Sequence, residues 1–136
     1  MGDLLEFCVP GRRATVTLRV GEDDTAAALG SGDVAVLGTP RVLALAEQAS
    51  RKALGDSLGP EHTTVGVWAE VEHVAPSRVG DQVEANAVLL GVDGHRLEYS
   101  VTVTSGDEEV AHVRHRRVVV DRARFLGQDP NRIPSP

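Results

Sequence analysis

The chain predicts an α+β domain in which an antiparallel sheet wraps one central helix, and three observations predict it. The stretch from Gly38 to Gly59 carries apolar or small residues on almost every side of a helical cylinder. Five other segments alternate apolar and polar residues with a period of two. Short turns at Gly80-Asp81, Asp93-Gly94 and Gly106-Asp107 join the last four of these, as hairpin connections do.

Taken in order, Ala14, Val16, Leu18 and Val20 alternate with Arg13, Thr15, Thr17 and Arg19 as a half-buried first strand. Residues 21–38 mix acids, Gly and Ala without a clear period, a loop with one helical turn placed to act as a lid over the start of the main helix. That helix begins with Thr39 as the expected N-cap and Pro40 at the first helical position, and Gly55 and Gly59 supply its stop signals. Val42, Leu43, Ala44, Leu45, Ala46, Ala49, Ala53 and Leu54 describe a helix surrounded by protein. Glu47 interrupts it, in one stripe with Leu43, Ser50 and Leu54. A carboxylate on such a face must be paired, hydrogen-bonded or neutralised.

The second strand, from Thr63, places Val65, Val67, Ala69, Val71 and His73 on one face and Trp68, Glu70 and Glu72 on the other. The third turns Val83, Ala85, Ala87 and Leu89 inward, and the fourth Leu97, Tyr99, Val101 and Val103. The fifth puts Ala111, Val113, His115, Arg117 and Val119 on one face, leaving Arg114 and Arg116 on the outer one. The whole chain, 1–136, reads as one domain with a core over about 13–125 and a tail, 126–136, expected to be flexible.

The net charge of −6 and pI near 5.3 exclude the broad basic field of a nucleic-acid or membrane-surface protein. No leader and no apolar run approaching 18 residues is seen, so a cytoplasmic, non-membrane protein is expected. The single cysteine, Cys8, allows no internal disulfide and no zinc-ligand spacing, and reads as a small apolar filler.

Three stretches carry a resemblance: GTPRVLALAEQA, VGVWAEVEHVAPSRVGDQVEA and GHRLEYSVTVTSGDEEVAHVRHRRVVV. Together they resemble the hot-dog fold thioesterases related to fluoroacetyl-CoA thioesterase, over about residues 13–125. The resemblance implies a hot-dog dimer that hydrolyses an acyl-CoA thioester, with coenzyme A as part of the substrate and no separate cofactor or metal. It implies that Thr39, Glu47 and His73 form the catalytic group, that Gly66 gives the acyl group close access to backbone, and that Arg117 orients the His or carboxylate or meets the ligand. Thioester hydrolysis needs these types: a nucleophile or activated water, a proton shuttle and donors for the oxyanion. The alternation leaves Arg114 and Arg116 free to meet the phosphates of coenzyme A.

Each residue also has a plainer reading. Thr39 is a helix cap, His73 a core histidine, Glu47 an ion pair at a dimer interface, Gly66 a bulge, Arg117 a structural ion pair, and the basic run a solvated edge strand. A non-catalytic acyl-CoA or small-ligand binding protein on the same fold is the alternative function. With two Phe, one Tyr and one Trp in the chain, and none of them from Thr25 to Gly38, no bulky aromatic lid is available. A small or medium acyl group is therefore expected rather than selectivity for a fluorinated one.

Overall fold

A computed structural model describes residues 8–127. Five strands form one antiparallel sheet: β1 (Arg13–Arg19), β2 (His62–His73), β3 (Gln82–Asp93), β4 (Arg96–Ser105) and β5 (Glu108–Asp121), in spatial order β1-β3-β4-β5-β2. A four-residue helix, α1 (Ala26–Leu29), precedes the main helix α2 (Thr39–Leu54), and a last turn, α3 (Arg122–Phe125), follows β5. The expectation for the tail falls outside the described residues from 128 onward.

The alternation holds on β3, β4 and β5, where each inward set named above is buried, including His115 and Arg117. Because strand side chains alternate with a period of two, burying one face selects every second residue. Against that face lie Val42, Leu45, Ala46 and Ala49 of α2. A second cluster, containing Cys8, Ala53, Leu54, Leu97 and Tyr99, closes the C-terminal end of the helix. Arg12 clamps that end, with Nε donating to the Ala53 carbonyl at 2.9 Å and Nη1 to Ser57 Oγ at 2.6 Å. One of the carbonyls a helix C-terminus leaves without an intrahelical donor is satisfied in this way.

Three expectations are corrected. First, α2 is covered by the sheet on one side only, and Ala44, Gln48 and Arg51 face outward. Second, Gly38 rather than Thr39 is the N-cap, and no side chain caps the helix. A Cβ on Gly38 would lie 3.0 Å from Leu29 Cδ1 and 3.2 Å from backbone atoms of Ala26, so α1 packs directly on this position. Third, β2 carries a bulge between Gly66 and Trp68. One extra residue inverts the alternation. Before it Thr64 is the buried residue, after it Val71 and His73 are half-buried, and Val67 is 56% exposed.

The segment before α2 does contain the expected helical turn. It is pinned by isolated bridges between Thr25 and Leu37 and between Val36 and Arg78, and by an ion pair from Arg41 Nε to Asp24 Oδ1 at 2.9 Å. Among the described residues no helix is long and apolar enough to cross a membrane, and no group of His, Cys, Asp and Glu has the arrangement of a metal site.

Candidate active site

The hydroxyl released from capping has another partner. At the N-terminus of α2, Thr39 Oγ1 lies 2.9 Å from His73 Nδ1, at the last residue of β2. The pair lines an open cleft of about 310 Å³ with Val34, Val36, Val74 and Pro76. Burial pushes the His73 pKa below its ordinary value, against a weaker opposing effect of a hydrogen bond with the Ala75 backbone. The ring is therefore neutral near pH 7 and able to accept a proton. Its other nitrogen, Nε2, is buried and has no hydrogen-bond partner among the described residues.

Glu47 belongs to a second group. Its Oε2 accepts from Arg117 Nη1 at 2.7 Å, and its side chain is 35% exposed. Arg117 is anchored from behind by Thr64, with Nε donating to Oγ1 at 2.8 Å and Nη2 to the carbonyl at 3.0 Å. That fork spends the planar donor set of the guanidinium on two fixed acceptors and aims the third at the carboxylate. Gly66 completes the group. A Cβ there would lie 2.6 Å from Glu47 Oε2 and 3.4 Å from Arg117 Nη1, so the absent side chain is what admits the carboxylate.

The single chain thus brings together Thr39 with His73, and Glu47 with Gly66, Arg117 and Thr64. It does not bring the two groups together. Eight residues separate Thr39 from Glu47 on α2, about 12 Å along its axis. Thr64 is a site residue that the alternation pattern concealed, since the bulge moves it onto the inner face. Arg114 and Arg116 lie on the outer face of the sheet, opposite α2. Arg114 is ion-paired with Glu98, and the Arg116 guanidinium sits 4.5 Å from the centroid of the Trp68 ring.

A five-stranded antiparallel sheet in this order with one long helix on one face has the hot-dog architecture. The model of the fluoroacetyl-CoA-specific thioesterase family matches residues 20–123. The chain belongs to that family. The fluoroacetyl-CoA thioesterase of Streptantibioticus cattleyicolor is 28% identical over 100 residues, 74% of this chain and 72% of that protein. A solved structure of the fluoroacetyl-CoA thioesterase FlK superposes with a TM-score of 0.81 at 27% identity, over 93% of this chain and 98% of that one. A hot-dog-like protein from Thermanaerovibrio acidaminovorans gives a TM-score of 0.81 at 25% identity, over 96% of this chain and 99% of that one.

Proposed function

We propose that this protein hydrolyses a small or medium acyl-CoA thioester to the free acid and coenzyme A, as a homodimer. The observation that carries the reading is the Thr39 hydroxyl held 2.9 Å from a neutral His73 whose second nitrogen has no partner among the described residues. His73 takes the Thr39 proton as the hydroxyl oxygen bonds to the thioester carbonyl carbon. The C–S bond then breaks, and the departing thiolate takes that proton from the imidazolium. Water, deprotonated by the same imidazole, cleaves the resulting ester and returns Thr39 to its starting state.

A carboxylate beside the Thr39–His73 pair would stabilise the charged form of the ring, and a second copy of the chain supplies one. β2 is an edge strand with one side unpaired; it displays Val67 and Trp68, and Val74 follows its end, each at least 40% exposed. Antiparallel pairing of two β2 edges about a two-fold axis midway between Gly66 and His73 sets Gly66 of one copy beside His73 of the other. Glu47 of one copy then meets the Thr39–His73 pair of its partner.

Gly66 and Arg117 shape the acyl side of this site. Arg114 and Arg116 are the proposed contacts for the coenzyme A phosphates, exchanging their present partners for the ligand. A coenzyme A ester as substrate implies a cytoplasmic enzyme.

The test is free-thiol release from acyl-CoAs of increasing chain length. Glu47→Gln and His73→Ala are each expected to lower kcat/KM by at least ~10²-fold, the usual contribution of a positioned proton-transfer group. Full activity in either variant would sink the mechanism. Mixing inactive Thr39→Ala dimers with inactive Glu47→Gln dimers tests the shared site. Random exchange of subunits should restore roughly a quarter of the wild-type activity, since half the dimers are mixed and each holds one intact site.

A further inference from the structure

Beneath the Glu47–Arg117 pair lies a second polar contact that the proposed chemistry does not use. Ser50 follows Glu47 by three residues on the same stripe of α2, and His115 precedes Arg117 by two on the same face of β5. Both are buried, Ser50 at 0% and His115 at 1% exposure. Ser50 Oγ lies 2.7 Å from His115 Nε2 and 2.9 Å from the Ala46 carbonyl. The imidazole is stacked on the Tyr99 ring, with centroids 5.3 Å apart and planes 17° from parallel.

We propose that Ser50 and His115 are a positioning pair, which fixes the rotation of α2 against β5 so that Glu47 is presented to Arg117 in its reacting orientation. This rests on Glu47 being the carboxylate of the active site.

Apart from Thr39 on His73 at its start and Lys52 Nζ on the Thr15 carbonyl and Arg12 on the Ala53 carbonyl near its end, the rest of the contact between α2 and the sheet is apolar, with Val42, Leu45, Ala46, Ala49, Ala53 and Leu54 packed on Val, Ala, Leu and Tyr99 side chains. Such packing is non-directional, and small alanine side chains permit a helix to rotate or slide at little cost. Two polar rungs one turn apart do not. The rungs lie about 4.5 Å apart along the helix and about 6.6 Å apart along the strand, so the helix cannot turn about one while keeping the other.

The hydrogen-bond roles are also set. Ser50 has one proton, and both contacts are made at once only if it donates to the Ala46 carbonyl and accepts from His115 Nε2–H. That leaves Nδ1 bare, buried and without a partner among the described residues. An aliphatic pair of similar volume would remove that unpaired nitrogen and the desolvation that accompanies it. A core polar contact that destabilises in this way, one helical turn from the candidate carboxylate, points to placement rather than stability as its role.

Ser50→Ala with His115→Leu deletes both ends of the rung and keeps the core apolar. The double variant should fold with a melting temperature at or above that of the wild type. Its kcat should fall by ~10–100-fold with little change in KM, the effect expected of a carboxylate displaced by up to about 1 Å. His115→Gln, whose side-chain amide can donate to Ser50 Oγ from nearly the same place, should recover most of the loss.

A purely structural pair predicts the opposite, a changed melting temperature with wild-type kcat, and that result overturns the proposal. Ser50→Ala alone removes one oxygen atom and serves if the double variant does not fold, with the same split between kcat and KM expected. The side-chain Nε–H resonance of Arg117 supplies a readout independent of turnover. It should shift in the double variant and return toward its wild-type position in His115→Gln; an unmoved resonance in the double variant refutes positioning. Should the wild type hydrolyse no thioester, the proposed function fails, while this resonance still decides whether the rung sets the Glu47–Arg117 geometry.

Discussion

Gly66→Ala separates catalytic geometry from stability more cleanly than any other substitution in this chain. Its backbone lies outside the left-handed region, so alanine introduces no conformational strain. The added Cβ would lie 2.6 Å from Glu47 Oε2, whereas ordinary contact begins at 3.4 Å. The carboxylate must therefore retreat by about 0.8 Å, the difference between the two. Its 2.7 Å bond from Arg117 Nη1 then stretches toward about 3.5 Å, where little of a hydrogen bond remains.

A charge-assisted bond is worth about 1.5–3 kcal/mol, but Glu47 is a third exposed and solvent reduces this to about 1 kcal/mol. Loss of unfolded-state freedom in the Gly→Ala change offsets it by about 0.4–1 kcal/mol. Net stability should therefore stay within about 1 kcal/mol of wild type, while misplacement approaching 1 Å lowers turnover on the order of 10²-fold. Thermal melting and thiol release on the same preparation measure both. Gly91→Ala is the control, since a Cβ there meets nothing within 4 Å. Wild-type turnover in Gly66→Ala would refute the reasoning, because the carboxylate would then have no required position.

Other consequences are equally direct. Tyr99 Oη is buried without a partner among the described residues, so Tyr99→Phe should be neutral or stabilising by up to about 1 kcal/mol in urea titrations; a loss above that would reveal a partner. His115 is held to about 4, first by burial and then by the neighbouring Arg117, below its ordinary 6.5. The unfolded chain binds the extra proton between those values, so this contribution is complete above pH 6.5 and is lost as pH falls toward 4. It amounts to about 3 kcal/mol over the window, and His115→Gln should flatten the slope of unfolding free energy between pH 4 and 6.5. An unchanged slope would remove His115 as its source. If Arg114 and Arg116 meet phosphates, replacing both with Ala should raise KM for an acyl-CoA about tenfold and leave that for a phosphate-free pantetheine thioester unchanged. Equal changes for both substrates would exclude phosphate contact.

Much of this fold was legible because its signals are local. Alternation on β3, β4 and β5 marked the buried residues, down to a histidine and an arginine in phase with valines, since a two-residue period and one buried face leave no other register. The helix was marked by its apolar content and its terminal Gly, and Glu47 stood out as the residue that needed a partner. Gly66 read as a bulge, and it is next to one; that the Glu47 carboxylate packs against it was not foreseen.

Tertiary structure alone decided the rest. Thr39 has the sequence of a cap, and only the arrival of His73, 34 residues on, gives its hydroxyl another partner. The partner of Glu47 lies 70 residues away on β5 and that of Ser50 lies 65 away, distances over which no periodicity carries information. The bulge changed which β2 residues face inward, and so brought in Thr64 as the anchor of Arg117. Sequence by itself determined which faces of β3, β4 and β5 are buried, because burial follows local period, and it marked the polar side chains that stand among apolar ones. The division of those side chains into two groups along α2, and the unpaired β2 edge beside them, arise from how distant segments meet.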